Sequence, residues 1–249
     1  MSKEIVVVTS AYGADTVREL GGQAALLPMI KASGADGVEI RHELLTSTDQ
    51  LDELASQISA HGLFAVYSVP ESLLTEDGQP ELERLALHLK NAARLKARTL
   101  KLPLGSITNA TDLTSINAVL KAQPVKLLIE NDQTLGGGRI SPLIAFFGMV
   151  VSQKLPISMT FDMANWNWLD EDAFVAARAL AAQVAYVHVK ASHNDQGKVK
   201  AIALDNSDGS WKDLLAMLPT NVPRGIEFPL EGADLTEVTR YYVAKLKEV

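Results

Sequence analysis

A chain of 249 residues that is 47% hydrophobic and 21% charged can bury a sizeable core, which excludes extensive disorder. Its 30 acidic residues against 23 basic ones give a net charge of −7 with no clustered Lys or Arg, so no nucleic-acid partner is expected and a small-molecule substrate is. No cysteine is present, which removes disulfides, thiolate nucleophiles and Cys-based zinc sites and leaves nitrogen and oxygen as metal donors.

The opening MSKEIVVVTSAYG has a short apolar run that passes straight into a turn, without the charged start, longer apolar stretch and small-residue cleavage pattern of a secretory signal; a cytoplasmic location is the expectation. No apolar stretch approaches the roughly 18 residues that span a bilayer, the longest being 143–151, so no membrane association is expected. The first strand is predicted over 5–9. The turn after it, Thr9-Ser10-Ala11-Tyr12-Gly13, lacks the glycine-rich dinucleotide fingerprint that an open doubly wound sheet would favour. A second strand follows over 37–40. Ser47-Thr48-Asp49 then caps a helix whose Leu51, Leu54, Ala55 and Ile58 repeat at i, i+3, i+4, i+7. The third strand is 64–68, followed by a helix with Leu82, Leu85, Ala86 and Leu89 on its apolar face; the fourth strand is 99–103, and Thr111-Asp112 opens the next helix. Strands over 126–130, 157–162, 185–189 and 224–228 complete a set of eight, with Asp170-Glu171-Asp172 capping the helix after the sixth. Strand-like and amphipathic runs alternate about every thirty residues without a linker-like segment. The predicted fold is therefore α/β, a single (β/α)8 TIM barrel over residues 1–249.

In such a barrel the chemistry sits at the C-terminal ends of the strands. Polar residues ending the apolar runs are Glu39, Arg41 and His42 on strand two, Lys101 on four, Glu130, Asn131 and Asp132 on five, Asp162 on six, His188 and Lys190 on seven, and Glu227 on eight. Charges gathered at one mouth are costly unless a partner or cation joins them, and oxygen-rich ligation with one His suits Mn²⁺ or Mg²⁺ first, then Co²⁺ or Zn²⁺. Taken singly, each acid reads better as a cap or ion-pair partner, and Glu39 with Arg41 as a simple pair inside the barrel.

The segments Leu127-Leu128-Ile129-Glu130-Asn131, Thr160-Phe161-Asp162, Tyr186-Val187-His188-Val189-Lys190 and Gly225-Ile226-Glu227 resemble, in order and strand placement, the four ligand-bearing strand ends of the xylose-isomerase-like superfamily of sugar isomerases and epimerases, which also includes AP endonucleases. The resemblance implies that Glu130, Asp162, His188 and Glu227 hold one divalent metal, that Glu130 and Glu227 double as the bases moving a proton on either face of a sugar, sugar phosphate or keto-acid, and that the metal steadies the enediolate. One departure is Asn165, where many relatives carry a histidine; an amide shuttles no proton, which counts against a second metal and against endonuclease chemistry. Arg41, Lys101, Lys190 and Arg139 are the candidate substrate-orienting cations, and Trp166 with Trp168 the candidate apolar wall against a sugar ring. Gly136-Gly137-Gly138 reads as a mobile loop suited to a lid. Two competing functions remain. One is a lyase or dehydratase, either metal-dependent or a Schiff-base enzyme using Lys101 or Lys190, since Asp36-Gly37-Val38-Glu39-Ile40-Arg41 resembles the second strand of type I 3-dehydroquinate dehydratases. The other is a non-catalytic sugar-binding barrel. A homo-oligomer is compatible with either.

Overall fold

The computed structural model describes residues 3–122 and 124–249. Eight parallel strands close into a barrel: β1 (Ile5–Val8), β2 (Gly37–Arg41), β3 (Phe64–Ser68), β4 (Ala97–Pro103), β5 (Lys126–Glu130), β6 (Ile157–Asp162), β7 (Val184–Val189) and β10 (Arg224–Ile226), the last pairing with both β7 and β1. Helices lie between them: α1 (Ala14–Glu19) and α2 (Leu27–Ala32) after β1, α3 (Leu51–Ala60) after β2, α4 (Leu82–Arg94) after β3, α5 (Ile116–Lys121), α6 (Ile140–Ser152) and α7 (Ala173–Leu180) after the next three strands, α8 (Trp211–Ala216) before β10 and α9 (Leu235–Glu248) after it. The predicted single (β/α)8 barrel is the observed one. No helix among the described residues is long and apolar enough to cross a membrane.

Alternation along the strands sorts side chains into two layers. Outward-facing Val7, Val38, Ile40, Tyr67, Leu100, Ile129 and Phe161 meet the helices in one continuous apolar core. Inward-facing Val6, Val66, Leu128 and Tyr186 form a small separate cluster inside the barrel. Below the mouth the lumen is thus a packed plug, and the next inward residues of β2, β4, β5, β6 and β7 toward the C-terminal ends are Glu39, Lys101, Glu130, Asp162 and His188.

Helix α3 buries Leu51, Leu54, Ala55 and Ile58 as its sequence pattern predicts. Helix α4 is rotated from the expected face: Ala86 is exposed and Leu82 half-buried, while Leu85, His88, Leu89 and Ala92 face the core. Of the predicted caps, Ser47 accepts from the Asp49 amide ahead of α3, and Asp172 accepts from the amides of Phe174 and Val175 at the start of α7. An antiparallel hairpin of β8 (Ala191–Asp195) and β9 (Lys198–Ile202) was not anticipated. Its turn residues Gln196 and Gly197 both have positive φ, which matches the twist of a two-residue hairpin.

The glycine loop also differs from expectation. Gly137 and Gly138 are buried, the Gly138 amide donates to the Thr134 carbonyl at 2.9 Å, and a Cβ at Gly138 would collide with the Asp132 carbonyl and Leu169. These glycines permit the loop after β5 to fold back closely on Asp132 and Thr134, so a lid is not read from them.

Candidate metal centre in the barrel mouth

Four side chains that leave four different strand ends meet at one point. One ligand atom each from Glu130, Asp162, His188 and Glu227 lies within 4.8 Å of all the others. The Nδ1 of His188 stands 2.8 Å from Glu130 Oε1, 3.1 Å from Glu227 Oε2 and 3.9 Å from Asp162 Oδ2. Asp162 and His188 are fully buried, and Glu130 nearly so.

The backbone is built to hold these groups still. Asn131, next to Glu130, grips β6 in both directions: its Nδ2 donates to the Asp162 carbonyl at 2.9 Å and its Oδ1 accepts the Asp162 amide at 2.8 Å. Asp162 Oδ1 accepts the amides of Ala164 and Asn165, each at 2.8 Å, which leaves Oδ2 turned toward the cluster. Asn165, in the place where a histidine was absent, donates to the Asn131 carbonyl and so braces the same corner. Its role here is structural. Gly225 on β10 makes room for the interior, since a Cβ there would strike the Tyr186 hydroxyl and crowd His188.

Four cationic groups face the carboxylates. Lys101, only 2% exposed, donates to Glu130 Oε2 at 2.6 Å and lies 3.4 Å from Glu39. Arg41 reaches Glu227 Oε1 at 3.2 Å and Glu43 at 2.8 Å. Lys190 donates to Glu227 Oε2 at 3.2 Å, Asp162 Oδ2 at 3.4 Å and Asn165 Oδ1 at 3.2 Å, with the Trp168 ring 5.6 Å away. His188 is the fourth. Burial alone opposes its charged form, but Glu227, Glu39 and Glu130 outweigh that and hold its pKa well above the imidazole value. Burial would likewise raise Glu130 and Glu227, yet Lys101 and His188 keep the first low, and His188 and Lys190 keep the second well below the usual range. Asp162 goes the other way: burial, reinforced by Glu227 and Glu130 against the pull of Lys190, pushes it up to about 7.

The donor set fits a divalent cation. Three carboxylates and an imidazole converge on one point, and His188 Nδ1 and Glu130 Oε1 meet there at 2.8 Å as an ion pair without hydrogen-bond geometry. Buried polar atoms left so are rare without a function. A hard or borderline ion would find oxygen and nitrogen ligands there.

Two residues expected near the substrate are elsewhere. Trp166 is fully buried against Phe161, ring centroids 5.3 Å apart, and faces the core; the half-buried Trp168 is the tryptophan beside Lys190. Arg139 is exposed at the N-cap of α6, and among the described residues it forms no ion pair with the cluster. Glu39 and Arg41 do pair inside the barrel, at 3.7 Å, and Glu39 Oε2 in addition accepts from His188 Nε2 at 2.8 Å and the Tyr186 hydroxyl at 2.9 Å. The signal was present in the two-residue spacings Glu39/Arg41 and Tyr186/His188, which turn all four side chains into the barrel.

No family model matches this chain, and no curated protein does. Solved structures do. A xylose isomerase domain-containing protein from Salmonella typhimurium LT2 aligns at a TM-score of 0.70 and 14% identity, covering 99% of both chains. D-allulose 3-epimerase from Methylomonas sp. aligns at 0.71 and 13%, covering 99% of this chain and 97% of its own. L-ribulose 3-epimerase aligns at 0.68 and 18%, covering 99% and 95%. The chain therefore has the fold of the xylose-isomerase-like TIM barrels.

Proposed function

We propose that this protein is a divalent-metal-dependent isomerase or epimerase of a sugar, sugar phosphate or keto-acid, working by proton transfer beside a carbonyl. The observation that carries the reading is the convergence of Glu130, Asp162, His188 and Glu227, whose candidate ligand atoms all lie within 4.8 Å of one another. Sugar epimerases among the structural neighbours support it. A bound Mn²⁺ or Mg²⁺, with Co²⁺ or Zn²⁺ as lesser candidates, would supply Lewis-acid stabilisation of charge developing on the substrate oxygens.

The chain's own groups supply the rest. Glu130 and Glu227 arrive from strands on opposite sides of β6 and β7, which supports a role for each on a different face of a substrate. Both are held ionised, ready to accept a proton. Lys101 fixes Glu130, while Arg41 and Lys190 fix Glu227, so each carboxylate is oriented by a cation that does not itself titrate near neutral pH. Beside Glu227 and Lys190 a cavity of about 320 Å³ opens past Ser10 and Tyr12, a size suited to a small sugar. The Schiff-base alternative draws no support from the lysines: both are raised in pKa by the carboxylates they touch, and a protonated amine is no nucleophile.

The test is α-proton exchange in D₂O with Mn²⁺ across ketoses, aldoses, their phosphates and keto-acids, with product analysis to separate isomerisation, epimerisation and dehydration. Exchange should appear with one of these classes and fall about 10²-fold or more in Glu130→Gln and Glu227→Gln. Exchange that persists in both variants, or that requires borohydride-trappable lysine, contradicts the reading.

A further inference from the structure

We propose that Glu39 is a positioning residue for the metal centre: it accepts the hydrogen bond of His188 Nε2–H and so turns the Nδ1 lone pair into the cluster. This rests on reading the cluster as a metal site. Glu39 stands on the far side of the imidazole from the three other carboxylates, with Nε2 2.8 Å from its Oε2 while Nδ1 faces Glu130 and Glu227. It is fully buried, and its carboxylate accepts hydrogen bonds only, so a neutral His188 beside it carries its hydrogen on Nε2. An imidazole ligand whose other nitrogen donates to a carboxylate is fixed in both tautomer and ring orientation and made more basic toward the ion.

Neighbouring contacts hold Glu39 in that posture. The Tyr186 hydroxyl donates to the same Oε2 at 2.9 Å, and Lys101 flanks Oε1 at 3.4 Å. Its backbone carbonyl accepts from Thr9 Oγ1, while Gln23 closes the strand end by donating to the Arg41 carbonyl and accepting the Arg41 amide. Lys101 has a second consequence. Its ammonium bridges Glu39 and Glu130, tying the residue that orients His188 to one of the carboxylates that would share the ion.

The experiment titrates Mn²⁺ into the dialysed full chain and compares Glu39→Gln with Tyr186→Phe. Glutamine keeps the volume but offers an amide that can present a donor to Nε2, which favours the wrong tautomer. Tyr186→Phe removes the other Oε2 partner and leaves the imidazole bond intact. The expected result is a Kd for Mn²⁺ about 10- to 100-fold weaker in Glu39→Gln and within a few-fold of the unmodified value in Tyr186→Phe. The loss should not track thermal stability across the two variants. In the Mg²⁺-loaded unmodified protein, ¹⁵N–¹H correlation of the His188 ring should find the proton on Nε2, a readout that needs no variant to fold. Equal Mn²⁺ affinity in Glu39→Gln and the unmodified protein, losses that merely follow stability, or a ring proton on Nδ1 would overturn the assignment. Absence of Mn²⁺ binding by the unmodified protein would instead remove the metal-site reading beneath it.

Discussion

Single side chains in this mouth are costly to change because they satisfy one another. Lys101→Met would leave Glu130 and Glu39 buried without their ammonium, and loss of one partner of a buried ion pair costs about 3–5 kcal/mol. Urea unfolding of the metal-free variant should register it, and an unchanged midpoint would mean that the pair relaxes into solvent. Asn131→Ala removes both hydrogen bonds that tie β5 to Asp162, with an expected loss of about 1–3 kcal/mol by the same assay. His88, outside the cluster, carries a pH effect. Burial lowers its pKa, only partly opposed by the Glu71 carboxylate that its Nε2 meets at 3.0 Å. The unfolded chain takes up that proton near its ordinary value of about 6.5, while the folded protein resists until lower pH. Stability should therefore decline as pH falls from 7 through that window, and His88→Gln should flatten the decline. A pH profile identical in the variant would exclude His88 as the source.

At the level of elements, the strands were legible because each is a run of Val, Ile, Leu or aromatic residues bounded by turn formers; β5 and β6 match their predicted limits over 126–130 and 157–162. Strand β10 ends at Ile226, earlier than predicted, so Glu227 lies just past the ladder, where a side chain has freedom to enter the mouth. The hairpin of β8 and β9 is hard to read because β8 carries Ser192, His193, Asn194 and Asp195 with no apolar alternation, and only Val199 and Ala201 alternate with Lys198 and Lys200 on the short β9. Helix α4 differs from its pattern because the buried face about Leu85 and Leu89 extends to His88 and Ala92, a polar residue among them, rather than to Ala86. Gly225 is the element-scale test. Gly225→Ala forces a methyl against Tyr186 and His188, and overpacking of this kind costs about 1–3 kcal/mol. A variant with unchanged stability and unchanged Mn²⁺ affinity would mean that the lumen has slack.

For the whole molecule, the barrel and the four convergent residues were readable from order and strand placement, whereas the counter-charges were not. Strand alternation turns Lys101, Lys190 and Arg41 inward, but sequence does not show which of Glu130, Glu227 and Asp162 each one meets, which depends on the stagger of a closed sheet. Trp166 and Arg139 failed as site residues for the complementary reason: a loop's side-chain direction has no periodicity to announce it. Glu39, Glu130, Glu227 and Asp162, the last pushed up to about 7 and so partly protonated, are matched by Lys101, Lys190, Arg41 and a charged His188. A dication entering this balanced cluster meets an imidazole that has to give up its proton before it can act as a ligand. Titration of dialysed protein with Mn²⁺ by calorimetry, repeated in buffers of different ionisation enthalpy, tests the account most directly. It predicts one ion bound per chain, release of about one to two protons with it, from His188 and the partly protonated Asp162, and loss of binding in Asp162→Asn. Absence of a saturable site, or binding that Asp162→Asn leaves unchanged, would contradict it.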